Sequence, residues 1–337
     1  MFKRASLLVA LALVLALGLA PAVQAGPIKL TYSTFFPPTH DQAKLAEAWG
    51  KEVEKRTKGQ VVVEFYPGGT LTKADQIYGG VVEGISDMGM SALAYTRGRF
   101  PVMAAVDLPL GYPNGVLATK AANGVFAKFH PKEFDDAQVM YFHAHGPGLI
   151  FTKDKPVKTM ADLKGLKLRA TGNSAKVVEA LGAAPVGQPM GETYQSIQKG
   201  VVDGSVHPVE SNKGWRLAEV VNICAEVPEI AYTTAFFVVM NKAKWASLPP
   251  DVQKTIMEIN TEWAPKHGEQ WDKSDAEGRE FFLSKGGTFV RPDAAEIAKW
   301  KAAVAPINEA YIKEMNEKQV DGKAVVEYIT ATLKTAK

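Results

Sequence analysis

Between Ile28 and Ser91 the apolar spacing switches between a period of two and a period of about four, and back, twice over. Ile28 to Tyr32 (IKLTY) alternates apolar Ile28, Leu30 and Tyr32 with polar Lys29 and Thr31, which predicts a strand with one face on a core. Asp41 to Lys58 places Leu45, Trp49 and Val53 on one helical stripe, and Gly59 is suited to end that helix. Val61 to Tyr66 (VVVEFY) is a β-branched and aromatic strand stopped by Pro67-Gly68-Gly69. Lys73 to Glu83 predicts a second helix and Gly84 to Ser91 a third strand. Such a succession forces a parallel sheet with helical crossovers, hence an α/β fold.

The whole sequence has 337 residues. Residues 1–25 read as a removable signal peptide: Lys3 and Arg4 precede the apolar run Ala5 to Ala20, and Val23-Gln24-Ala25 supplies small residues at the cleavage positions. Cleavage there leaves 312 of the 337 residues, Gly26 to Lys337, more than one core usually serves, so two lobes are expected. The net charge of +3 falls to +1 without Lys3 and Arg4, which gives no field for nucleic acid. Cys224 is the only cysteine, so an internal disulfide and a CxxC site are both excluded.

Leu166 to Ala170 alternates as a short strand, with Thr171-Gly172-Asn173 turning and Ser174 placed to cap a helix over Ala175 to Leu181. Arg169 therefore sits near a strand end, where α/β sheets place ligand sites. Its guanidinium is a permanent cation with a planar fork that fits a carboxylate. On local sequence alone, an Arg that snorkels or pairs with Asp162 or Glu192 is the simpler reading. Phe35 and Phe36 lie on the loop after the first strand, just before Pro37-Pro38, and either closes the core or faces a cleft. His143 and His145, two apart on the strand continuing from Gln138, have a spacing compatible with metal, but no third ligand lies nearby. In Tyr232 to Met240, Phe236 and Phe237 point to opposite faces, so one at most reaches a cleft. Pro250 to Lys285 predicts a helix of roughly 50 Å, with Pro265 kinking or breaking it. Thr288 to Val290 is a last strand, followed by charged amphipathic helices.

Three blocks carry a family resemblance: YPGGTLTKADQIYGGVVEGISDMGMS from Tyr66, DLKGLKLR ending at Arg169, and ETYQSIQKGVVDG from Glu192. Together they resemble the solute-binding proteins of tripartite ATP-independent periplasmic (TRAP) transporters, the DctP type. The resemblance runs over essentially the whole mature chain and implies a two-lobed periplasmic binding protein fold, type II-like, with mixed sheets flanked by helices and a long helix bridging both lobes. The division expected is 26–146 plus 235–274 for lobe I, and 147–234 plus 275–337 for lobe II. By resemblance Arg169 anchors a ligand carboxylate, while Phe35 and Ser91 face the ligand from the first lobe. Met190 stands where family members carry a covering aromatic, and His207 where many carry a hydrogen-bonding Asn. A structural His at 207 and core packing for Met190 stay open. Trp215 and Phe236 complete the expected wall.

Leu149 stands where many family members carry a second Arg. Its absence removes one positive charge and argues against a ligand with two carboxylates. The expected ligand is a bulky monocarboxylate, aromatic or branched, delivered to integral-membrane permease subunits by a monomeric, periplasmic protein that needs no cofactor or metal. The alternatives are a binding protein of an ATP-driven importer and an exported enzyme; HExxH, GxSxG and GxxxxGK[ST] motifs are absent.

Overall fold

The computed structural model describes residues 26–335; the expected signal peptide over residues 1–25 lies outside the described residues. The first sheet holds β1 (Ile28–Thr34), β2 (Val61–Tyr66), β3 (Met88–Ala92), β4 (Ala137–Ala144) and β10 (Ala235–Asn241), in the order β2-β1-β3-β10-β4. β2, β1 and β3 are parallel, as the alternating strands and helices predict, and β10 runs antiparallel between β3 and β4. The second sheet is β11-β9-β5-β8-β6-β7, built from β5 (Gly148–Thr152), β6 (Lys167–Ala170), β7 (Ala184–Gly187), β8 (Gly204–Pro208), β9 (Ile223–Ala225) and β11 (Thr288–Val290). Both sheets are mixed and flanked by helices, so the molecule has the two lobes that the chain length suggested.

Helix α1 (Asp41–Arg56) buries Trp49 and Val53 on the first sheet, and the chain leaves it through Lys58 and Gly59, both at positive φ. Helix α2 (Ile77–Val82) is shorter than predicted because its first turn is replaced by turns around Lys73 to Gln76. Helix α3 (Gly115–Phe129) is capped by the Asn114 side chain, which accepts from Leu117 N–H. Helix α4 (Asn173–Ala180) begins after Gly172; the Ser174 hydroxyl bonds the Thr171 backbone instead of capping.

Helix α5 (Pro250–Ser284) is unbroken over 35 residues, about 50 Å. Pro265 does not interrupt it, because it lies on the solvent face where water can satisfy the freed carbonyl. Trp49 Nε1 donates to Asn260 of α5 in the first lobe, while Phe282, near its other end, meets Phe151 of β5 edge to face. One rod thus spans both lobes. Helix α6 (Ala294–Glu317) buries Trp300 and Val304, and helix α7 (Gly322–Leu333) returns to the first lobe, where Tyr328 packs on Lys128 and Phe129 of α3. The expected division put the chain after residue 275 wholly in lobe II, and α7 corrects that boundary. Its apolar stripe is filled by α3.

Besides α5, two connectors lead from one sheet to the other, residues 145–147 and 226–234, and they are stitched side by side. Gly148 N–H donates to Tyr232 O at 2.8 Å, and Thr233 Oγ1 donates to His145 O at 2.6 Å. Gly148 is required here, since a Cβ would fall 2.3 Å from the Tyr232 ring.

Candidate functional site

The cleft between the lobes narrows to a cavity that leaves about 30 Å³ for the centres of water molecules. Strand ends and connectors supply its walls. The first lobe contributes Phe35 and Phe36 after β1, Tyr95 after β3 and Phe236 at the start of β10. The second contributes Arg169 and Thr171 at the end of β6, Met190, His207 at the end of β8, and Trp215. His145 and Tyr232 come from the connectors and Trp271 from α5.

Arg169 is 3 % exposed. Its Nε donates to Gln188 O at 2.9 Å, Nη1 to Val206 O at 3.5 Å and Nη2 to the Tyr95 hydroxyl at 3.3 Å. These partners are two carbonyls and a phenol, with no carboxylate among the described residues. Asp162 instead closes its own turn by accepting from Thr159, and Glu192 is exposed. The local alternative of an internal acidic partner is therefore not realised. A buried cation without a counter-ion is costly. Arg169 is the one Lys or Arg lining the cavity among the described residues, and Glu210 is the one acidic residue there. Glu210 is engaged elsewhere: it accepts from the Ser211 hydroxyl at 2.6 Å, and His40 Nε2 lies 3.2 Å from its other oxygen.

Two neutral imidazoles flank the guanidinium. Burial, reinforced by the Arg169 charge, lowers His207 from 6.5 to about 3. Burial likewise lowers His145 to about 4, against the Gly146 carbonyl bond that favours its charged form. Both rings therefore stay uncharged at neutral pH. Neither ring nitrogen of His207 has a hydrogen-bond partner among the described residues, although the ring stacks on Phe151 at 4.1 Å.

The rest of the cavity is aromatic. Phe35 lies nearly parallel to Trp215 (6.0 Å, 13°) and to Phe236 (6.3 Å, 18°), and Phe236 lies nearly parallel to Trp271 (5.4 Å, 21°). Flat apolar walls ending at one cation match a planar acid.

Of the residues expected at the site, Arg169, Phe35, Met190, His207, Trp215 and Phe236 line this one cavity. Ser91 and Leu149 do not. Ser91 pairs with Phe237 across β3 and β10, so it shares the face away from Phe236, and its hydroxyl donates to Ala74 O at 2.7 Å. Leu149 turns into a separate apolar pocket with Val177, Val227 and Trp300. The argument from the missing second cation survives, because no other Lys or Arg takes its place at the wall among the described residues. His143 points into the first lobe, where its Nδ1 accepts from the Trp271 indole at 3.0 Å. No cluster of three or more metal-ligating side chains occurs among the described residues. Tyr95, Tyr232 and Trp271 were missed at the sequence level; Tyr95 carried a usable signal, lying four residues beyond a predicted strand end.

The profile of bacterial extracellular solute-binding proteins, family 7 (DctP), matches residues 32–314. The chain belongs to the DctP family of TRAP-transporter solute-binding proteins. Among solved structures, a TRAP solute-binding protein from Rhodoferax ferrireducens in complex with copurified benzoate is 31% identical, with a TM-score of 0.85 over 91% of this chain and 98% of that one. A TRAP periplasmic solute-binding protein from Bordetella bronchiseptica with bound (R)- and (S)-mandelate is 30% identical, with a TM-score of 0.86 over 92% and 100%. The C4-dicarboxylate-binding periplasmic protein DctP of Rhodobacter capsulatus is 28% identical over 88% of this chain and 90% of its own length. DctP-family relatives thus include binders of aromatic acids and a binder of dicarboxylates.

Proposed function

We propose that this protein is the periplasmic receptor of a TRAP transporter for an aromatic monocarboxylate, which it encloses between its lobes and delivers to the membrane permease. The observation that carries the reading is the lone buried guanidinium of Arg169, with no internal acid as partner, at the end of an aromatic cavity. One fixed cation balances one carboxylate; a second carboxylate would be buried without a partner. The near-parallel rings of Phe35, Trp215 and Phe236 favour a flat apolar body. The benzoate and mandelate bound to similar proteins support the same class. Residues 1–25 fit export to the periplasm, where relatives such as the Rhodobacter capsulatus protein work.

Arg169, Phe35 and Phe236 are buried, so entry requires the lobes to part. Ligand contacts from both sides then favour the shut form by a hinge motion at the paired connectors. Thermal shift and calorimetry with benzoate, (R)-mandelate and succinate test the proposal. Stabilisation by either aromatic acid is expected, and stabilisation by succinate with no response to the aromatic acids overturns it.

A further inference from the structure

We propose that Tyr95 is a second reader of the ligand carboxylate, through which the first lobe senses that Arg169 is occupied. This rests on the carboxylate reading of the cavity and not on the aromatic part of it.

Tyr95 belongs to the first lobe, in the single turn Leu93–Tyr95 that follows β3. Its hydroxyl accepts from Arg169 Nη2 at 3.3 Å and from Met190 N–H at 3.0 Å. Both donors belong to the second lobe, so one oxygen joins the lobes at the guanidinium itself. A phenol oxygen accepts through its lone pairs and donates one proton. The two second-lobe donors occupy the accepting side, and among the described residues no acceptor takes the Tyr95 proton. Arg169 Nε is held by Gln188 O, while Nη1 and Nη2 give one N–H each, to Val206 O and Tyr95, and keep a second for a ligand. A carboxylate docked on those remaining N–H groups lies beside Tyr95 and is the acceptor its proton lacks. The resulting O–H···O⁻ bond is charge-assisted, short and strong.

The chemical consequence is a requirement for an anion. A neutral amide at the same place offers a weaker acceptor and points its own N–H groups at the guanidinium. The Tyr95 ring is oriented independently of this bond, because it meets Phe35 edge to face at 5.2 Å. Another polar contact between the lobes, Asn173 Nδ2 donating to Ala104 O at 2.7 Å, lies outside the cavity. Among the described residues, Tyr95 is the one first-lobe partner of the Arg169 cation.

The test is Tyr95→Phe, which keeps the ring and removes the hydroxyl, measured against benzoate, (R)-mandelate and succinate. Stopped-flow fluorescence from Trp215 and Trp271 gives the rates, and melting with and without ligand gives the stabilities. The expected result is an off-rate raised on the order of 10- to 100-fold for whichever acid binds the unaltered protein, with the on-rate held within about threefold. Melting of the ligand-free protein should hardly change, while most of the ligand-induced shift is lost. An unchanged off-rate overturns the proposal. So does a fall in melting temperature equal with and without ligand, which marks a merely structural hydroxyl. If succinate alone binds, the aromatic reading fails and the Tyr95 comparison proceeds on succinate; if no acid binds the unaltered protein, both fall.

Discussion

His143 on β4 and His267 on α5 lie face to face, ring centroids 4.3 Å apart and 11° from parallel, in the closed interior of the first lobe. Trp271 Nε1 donates to His143 Nδ1, and His267 Nε2 meets the Tyr141 hydroxyl at 3.1 Å. The pair fastens the bridging helix to the first sheet only while both rings are neutral. Burial lowers His267 to about 3, and burial together with the neighbouring His267 holds His143 well below the usual range.

These two, with His145 and His207, predict acid lability. The unfolded chain takes up protons as pH falls through about 6.5, and the folded chain does not until far lower. Each such histidine therefore contributes stability that is complete above pH ~6.5 and is lost below it at about 1.4 kcal/mol per pH unit. Burial acts oppositely on Asp107, raised to about 8, and on Asp275, raised well above its usual range; both gain stability as pH falls. Glu133 and Asp272, also raised by burial, pull the same way as the two aspartates, and the four histidines set the sign, a net loss of stability as pH falls below 6.5. Urea midpoints at pH 7 and pH 5.5 check this, and equal midpoints refute it.

Removing the anchor separates binding from folding. Arg169→Ala should cost about 2 to 5 kcal/mol of carboxylate affinity by calorimetry. The ligand-free protein should remain folded, since the arginine's partners are carbonyls and a phenol rather than a structural acid. Wild-type affinity in this variant would remove the basis for a carboxylate ligand.

Phe236 and Phe237 are chemically identical and adjacent, and the parity of β10 gives them different tasks. Phe236 lines the cavity, while Phe237 is fully buried against Tyr78 (5.4 Å) and Phe100 (5.9 Å). Phe237→Ala should lose about 3 to 5 kcal/mol of stability without altering the preference of benzoate over acetate. Phe236→Ala should lose that preference. Equal effects of the two changes on preference would show that the rings do not divide the work.

The same parity marks the limit of what the sequence disclosed. The strand–helix–strand order from Ile28 to Ser91 was legible because its periods are local, and Arg169 because a strand-end guanidinium is chemically distinctive. Which of Phe236 and Phe237 faces the cleft depends on the partner strands, and so does the orientation of Ser91, one residue out of phase with the cavity face. The stripe of α7 showed that the helix packs but not on which lobe. Tyr95 and Tyr232 belong to a turn and a connector, and they reach the Arg169 cavity only through folding.

Gly172 makes a last prediction, because two independent constraints fall on it. Its backbone, φ 52° and ψ −130°, lies in a region open in practice only to glycine, which costs another residue about 1 to 3 kcal/mol. Separately, a Cβ there would fall 2.9 Å from the Cβ of Ala94, across the seam between the lobes. The backbone strain exists whether the cleft is open or shut, whereas the collision exists only when it is shut. Gly172→Ala should therefore lower both ligand-free stability and ligand affinity. Adding Ala94→Gly removes the collision and leaves the strain, so the double variant should recover affinity and not stability. A double-mutant cycle run separately on melting and on binding isolates the two. If the pair is additive in binding, residues 94 and 172 do not meet on closure, and the seam drawn through Tyr95 lies elsewhere.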